Sequence, residues 1–149
     1  MRAVLTRVKE ASVVIEGKTV GAIDKGFLVL LGVHEEDTQA EADWIADRIC
    51  GLRIFEDEDG KMNIGPTDAG ANLLIVSQFT LYADVSSRRP GFTKAARPDT
   101  AIPLYEHVIE ECKKRGFEVA TGEFGADMQV FSINDGPVTI LLDSDHKKG

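Results

Sequence analysis

Three stretches of the chain carry residues of types and spacing that could bind or react. Ser77-Gln78-Phe79-Thr80-Leu81 follows the apolar run Leu73 to Val76, so three hydrogen-bonding side chains interrupt what otherwise reads as a core strand. Such groups cost free energy unless they are satisfied or face a pocket. They either bond neighbouring backbone or meet a ligand. Asn134-Asp135-Gly136-Pro137-Val138-Thr139 reads as a turn between two strands. It is either a plain hairpin turn or a stiff wall with little side-chain cover, presenting bare carbonyls and amides. The isomer of an X-Pro bond is not set by sequence, since only about 5–6% are cis in folded proteins. From Val85 to Pro98 the chain carries Arg88, Arg89, Lys94 and Arg97 with no acid among them. That loop is either solvated or made to contact anions such as the phosphates of an RNA or nucleotide.

The familiar catalytic constellations are missing. There is no G-x-S-x-G elbow, P-loop, G-x-G-x-x-G or H-E-x-x-H. His34, His107 and His146 are dispersed, and His34-Glu35-Glu36-Asp37 reads as a solvated loop rather than a metal site. No metal and no cofactor is expected. Without a placed His or an activated Cys, Ser-His-Asp or Cys-His catalysis is excluded as the leading chemistry. An enzyme built from these residues works without a standard side-chain base.

The elements that must position these stretches follow from periodicity. Residues 4–8 and 12–15 alternate as strands, with turn signals at Gly17-Lys18 and Asp24-Lys25-Gly26. Phe27 to Val33 is a continuous apolar run, as in a strand buried on both faces. Thr38-Gln39-Ala40-Glu41 matches a capping box, and Ile45, Ile49 and Leu52 place one helical face behind it, ending near Gly51 to Ile54. Glu56 to Ala71 reads as a long loop, and Asn72 to Ala83 as a strand. Pro98-Asp99 opens a second amphipathic helix with Leu104, Val108 and Cys112 in register. Gly116 closes it, and Lys113, Lys114 and Arg115 complement its C-terminal dipole. Strands are expected at Phe117 to Thr121, Met128 to Ile133 and Val138 to Leu142, with a charged, frayed tail over 143–149. The fold class is therefore α+β, a barrel-like mixed β-sheet carrying two amphipathic helices in one domain over 1–149.

Composition bounds the setting. The 149 residues hold 17 Lys and Arg against 25 Asp and Glu, a net charge of −8, which argues against broad nucleic-acid or DNA binding through long-range attraction. Ordinary apolar (43%) and charged (28%) contents exclude a disordered or fibrous chain. No apolar run reaches the length of a membrane span and none follows a basic start, so neither membrane nor secretion is expected. Cys50 and Cys112, in separate helices, read as buried and reduced. The expected localisation is cytoplasmic.

Taken together, the Ser77 to Leu81 and Asn134 to Thr139 stretches resemble the paired signature motifs of the D-aminoacyl-tRNA deacylases. The resemblance extends over nearly the whole chain, including Arg7-Val8, Ala11-Ser12-Val13, Leu52-Arg53-Ile54-Phe55, Gly60-Lys61-Met62-Asn63, Arg89-Pro90 with Phe92, and Ala126 to Val130. It implies a homodimer with two active sites at its interface, where a cis Gly136-Pro137 from one subunit enters the partner's pocket facing Ser77 to Thr80. Arg7 would hold that turn in place. The implied substrate is the ester joining a D-amino acid, or glycine mischarged on alanine tRNA, to the terminal adenosine of tRNA, in translation quality control. Phe79 and Thr80 would supply backbone amides to the oxyanion. Ser77, Gln78 and Met128 would line the substrate pocket, and Arg88, Arg89, Lys94 and Arg97 would meet tRNA phosphates. The resemblance also implies assistance from the ribose 2′-hydroxyl in place of a protein nucleophile.

That chemistry has a physical rationale. Mirror-image amino acids share one side chain and one ammonium group, so side-chain binding cannot tell them apart. A rigid backbone wall can, by occupying the space an L side chain needs. Glycine lacks the excluded group and passes. Two rival readings remain open from the sequence: a general esterase on the same scaffold, and an RNA-binding module without turnover.

Overall fold

The computed structural model describes residues 1–146. Its longest early element is β1 (Arg2–Ile15), with Ala3 and Leu5 pointing to one side and Val8, Ala11 and Val13 to the other. The change of face comes at the exposed pair Lys9-Glu10, where one extra residue between Val8 and Ala11 shifts the side-chain alternation. This split lets one strand serve two cores. The first half of β1 pairs antiparallel with β3 (Gly26–Gly32), and the second half with β2 (Lys18–Ile23). β3 continues in parallel to β6 (Asn72–Ser77), and β6 to β7 (Val119–Thr121).

The sheet curls until β7 comes back against β2, forming a nearly closed barrel. The approach is possible because position 21 has no side chain: a Cβ on Gly21 would run into the carbonyl oxygen of Thr121. Gly26 likewise admits the backbone of Asn72 beside it. Inside the barrel lie Val8, Ala11, Val13, Ile23, Leu28, Leu74 and Val76. The larger core packs the outer face of Phe27, Val29, Leu31, Leu73 and Ile75 against two helices, α1 (Gln39–Gly51) and α3 (Pro98–Lys114). Tyr105 of α3 ties the layers together by donating its hydroxyl to the Ile75 carbonyl at 2.8 Å, and burial pushes that phenol up to about 12.

The helix boundaries agree with the sequence signals. Glu41 accepts the Thr38 N–H at 3.1 Å at the start of α1, Pro98 occupies the first turn of α3, and Gly116 follows it with φ 94°. Cys50 and Cys112 lie on α1 and α3 as free thiols, the first half-buried and the second buried.

Four expectations are corrected. The strand expected to run to Ala83 stops at Ser77, where its pairing with Leu31 ends, and Phe79–Tyr82 forms a 3-10 turn. The expected 56–71 loop contains a hairpin of β4 (Phe55–Glu56) and β5 (Met62–Ile64), followed by a short helix α2 (Pro66–Ala69). Asp57 organises that hairpin, accepting from Asn63 Nδ2, Lys61 N–H and Asp59 N–H, and those bonds lower its pKa. The two last strands are one, β8 (Gln129–Asp143), antiparallel to β1 along its length, so Gly136-Pro137 interrupts a strand from within. The tail expected to fray from 143 is instead anchored through Ser144. The N-terminal ammonium donates to Ser144 Oγ at 2.7 Å and pairs with Asp37 at 2.9 Å, while Arg2 pairs with Asp143 at 3.0 Å. The rest of that expected tail, 147–149, lies outside the described residues.

The barrel closure is testable at Gly21. Gly21→Ala forces β7 away from β2, and its expected cost is about 1–3 kcal/mol of stability by denaturant titration, the usual range for overpacking. An unchanged midpoint would show that β7 yields freely.

Candidate active site

Arg7 is buried at 5% exposure, an unusual place for a guanidinium. Two carbonyls account for it. Nε donates to Asp135 O and Nη1 to Ile54 O, each at 2.8 Å, and Nη2 lies 3.7 Å from Glu56. The planar fork thus joins β1, β8 and the segment leading into β4. Thr6 pairs with Thr139 and Val8 with Asn134, so the four residues 135–138 bulge out opposite Arg7 alone. At the tip Gly136-Pro137 is a cis peptide. Gly136 has φ 141°, and a Cβ there would meet Val138 Cγ2 at 2.7 Å and Arg7 Nη2 at 3.1 Å. Only glycine fits that backbone between those neighbours.

The second motif lies elsewhere on the subunit. Ser77 ends β6, and Gln78 turns the chain with its N–H on Leu31 O. Phe79 and Thr80 then occupy the first two positions of the 3-10 turn, where N–H groups have no partner one turn back. Among the described residues neither N–H makes a backbone hydrogen bond, while Leu81 bonds Gln78 O and Ala83 bonds Thr80 O. Two unengaged amides side by side can stabilise a developing oxyanion. The exposed Thr80 hydroxyl accepts from Gln78 Nε2 at 2.6 Å. Among the described residues it has no imidazole or carboxylate partner that could take its proton.

Phe79 is 54% exposed and meets Phe92 edge-on at 5.1 Å between ring centres. This contact fastens the 3-10 turn to the basic loop, which is pinched at its base by paired backbone bonds between Asp84 and Gly91. Arg88 and Arg89 are exposed at the loop's tip. Lys94 is exposed with its carbonyl bonded to Glu35 N–H, and Arg97 precedes α3. Met128 is half-buried against the barrel's interior cluster, which includes Val76, and lies next to Gly122.

Within one subunit the two motifs do not meet. Among the described residues no hydrogen bond, ion pair or ring contact joins 134–139 to 77–80. The register shows the reason. Ser77 is level with Leu31 and hence with Ala3, whereas the bulge is level with Arg7. That is about 13 Å along the strands, with about three strand spacings between. On β8, whose ladder partner is β1, Val130, Phe131, Ile133 and Leu141 are exposed, with Phe131 and Ile133 sharing one face. In the sequence these residues stand only as parts of expected strands, since which strand face stays uncovered depends on the rest of the fold.

The loop His34–Asp37 is not free for a cation, since Asp37 accepts the His34 N–H at 2.7 Å and binds the N-terminal ammonium. Between α1 and α3, His107 Nε2 donates to Asp43 Oδ1 at 2.6 Å, a contact of the helix surface.

The dependence of the bulge on Arg7 is testable without substrate. Lysine cannot reach both carbonyls, so Arg7→Lys should cost about 2–3 kcal/mol of stability. Amide exchange at 135–139 should accelerate more than exchange in α1. Uniform acceleration would show that Arg7 supports the whole core and not this bulge.

Comparison with known proteins assigns the relationship. A family described as D-Tyr-tRNA(Tyr) deacylase matches residues 4–143. D-aminoacyl-tRNA deacylases of Thermotoga petrophila and Thermus aquaticus are each 55% identical, over 97% of both chains for the first and over 100% of this chain and 99% of the relative for the second. Among solved structures, one named c-Myc DNA unwinding element binding protein superposes with a TM-score of 0.91 at 42% identity, covering 96% of this chain and 98% of that one. A probable eukaryotic D-amino acid tRNA deacylase superposes with a TM-score of 0.82 over 95% and 97% of the two chains. At 16% identity it shares the fold.

Proposed function

Because the chain belongs to the D-aminoacyl-tRNA deacylase family, we propose that it hydrolyses the ester of D-aminoacyl-tRNA and rejects L esters with the Gly136-Pro137 backbone. The carrying observation is full-length relatedness at 55% identity to deacylases. The bulge pinned by Arg7 fits the same reading. The wall is main chain throughout. Gly136 offers no side chain, and Pro137 has a ring locked to its own backbone, so neither swings aside for an L substituent. Glycyl-tRNA, including glycine mischarged on alanine tRNA, passes for want of that substituent, and the enzyme serves translation quality control.

The pocket is completed by a second copy. The motifs are far apart in one subunit, and the exposed Val130, Phe131 and Ile133 on β8 would be covered in a dimer. In that arrangement Gly136-Pro137 of one protomer faces Ser77 to Thr80 of its partner. Water attacks the ester carbonyl, the Phe79 and Thr80 amides receive the oxyanion, and the terminal ribose 2′-hydroxyl assists as the ester oxygen leaves. Gln78 orients the Thr80 hydroxyl, and Ser77 and Met128 border the substrate. Arg88, Arg89, Lys94 and Arg97 hold tRNA phosphates by charge, a local exception to the acidic surface. The protein acts in the cytoplasm, where charged tRNA is used, and needs no metal or cofactor.

Matched D-tyrosyl-, L-tyrosyl- and glycyl-tRNA are the decisive substrates, with chelator present. Release from the D and glycyl esters with the L ester intact is expected. Hydrolysis of both enantiomers would make the protein a general esterase, and binding without turnover would make it an RNA-binding module. Thr80→Ala should keep most of the single-turnover rate, and its complete loss would make the hydroxyl a participant. Charge reversal at Arg88 and Arg89 should flatten the salt dependence of tRNA binding, by about 0.7–0.9 in slope per lost phosphate contact.

A further inference from the structure

We propose that Asn134 is the residue that sets the strictness of chiral rejection, by closing the Gly136-Pro137 bulge on the side Arg7 does not reach; this rests on the reading of that bulge as the chiral wall. Residues 135–138 leave the β1–β8 ladder, so their polar groups lose their strand partners. Arg7 takes up the entry side through Asp135 O at 2.8 Å. Pro137 has no N–H to offer, which makes Val138 N–H the first donor after the tip. That donor is held by Asn134 Oδ1 at 2.9 Å, and Asn134 Nδ2 donates in turn to Thr139 Oγ1 at 3.1 Å. One carboxamide at the base of the bulge therefore grips both residues by which the chain returns to the strand.

The consequence follows from Gly136, a glycine whose own backbone restricts φ and ψ little. Its position is set by what holds its flanks. With both flanks held, the wall keeps its place against an L substituent. With the exit flank released, Gly136-Pro137 gains room to recede while the amides of Phe79 and Thr80, on a different element, are untouched. Asn134 is accordingly a positioning residue, and its signature is a change in enantiomer ratio with little change in rate on glycine.

The test compares wild type, Asn134→Ala, Asn134→Asp and Thr139→Val as full-length proteins on glycyl-, D-tyrosyl- and L-tyrosyl-tRNA. Asn134→Ala should raise hydrolysis of the L ester about tenfold, the worth of roughly one hydrogen bond in such a network. Its glycyl rate should stay within about twofold. Asn134→Asp should restore rejection, because a carboxylate accepts from both Val138 N–H and the Thr139 hydroxyl. Thr139→Val, which removes one bond of the pair, should show a smaller rise of about threefold, and it carries the test if Asn134→Ala does not fold. An unchanged enantiomer ratio in Asn134→Ala, or in Thr139→Val where that variant stands in, overturns the inference. So does equal loss on the glycyl and D-tyrosyl esters in Asn134→Ala and Asn134→Asp with the L ester still intact, which marks a purely structural role. A wild type that hydrolyses both enantiomers overturns the chiral-wall reading itself, and the inference with it.

Discussion

A buried guanidinium with two carbonyl partners is the constraint on which the site depends. Burying Arg7 at 5% exposure carries a large desolvation cost unless its donors are used. The Asp135 and Ile54 carbonyls use them, and Glu56 adds opposite charge at 3.7 Å. Ile54 and Glu56 belong to one segment and Asp135 to another, about eighty residues further along the chain. The bulge cannot move without leaving a buried donor unpaired, and the charge cannot stay buried without the bulge. Each therefore fixes the other.

The two-core architecture is what makes such a bulge affordable. β1 serves the helix-backed core with Ala3 and Leu5 and the barrel interior with Val8, Ala11 and Val13. The Gly-Pro interruption of β8 falls opposite Arg7, just before the residue where β1 changes core. Both halves of β8 still pair with β1 on either side, so the ladder resumes after four residues. A strand paired on one edge and backed by the barrel can carry an interruption that an isolated hairpin could not.

The second motif is positioned by a different device. β6 is buried in parallel pairing until Ser77, and the chain then tightens into a 3-10 turn that leaves two amides unengaged. Phe79 against Phe92 and the Asp84–Gly91 bonds couple this turn to the basic loop. Four basic side chains and two unengaged amides are thus set on one short stretch of chain, within an otherwise acidic protein.

The parts legible from sequence were those set by local chemistry. Thr38 and Glu41 announced α1, Pro98 and Gly116 bracketed α3, and the apolar run from Phe27 marked a strand buried on both faces, because capping, φ restriction and periodicity act over a few residues. The polar interruptions at Ser77 to Thr80 and Asn134 to Thr139 were visible for the same reason. Sequence could not show that Gly136-Pro137 is a bulge inside one strand and not a turn between two. A glycine-proline pair is compatible with both, and only pairing of β8 along the whole of β1 decides. Nor could it show the anchoring of Ser144, which requires the two ends of the chain to meet. The residue types of the site were determined locally by the sequence. Their partners were decided by the tertiary structure, because Arg7 finds Ile54 and Asp135 only after the sheet has curled and brought distant carbonyls within 3 Å.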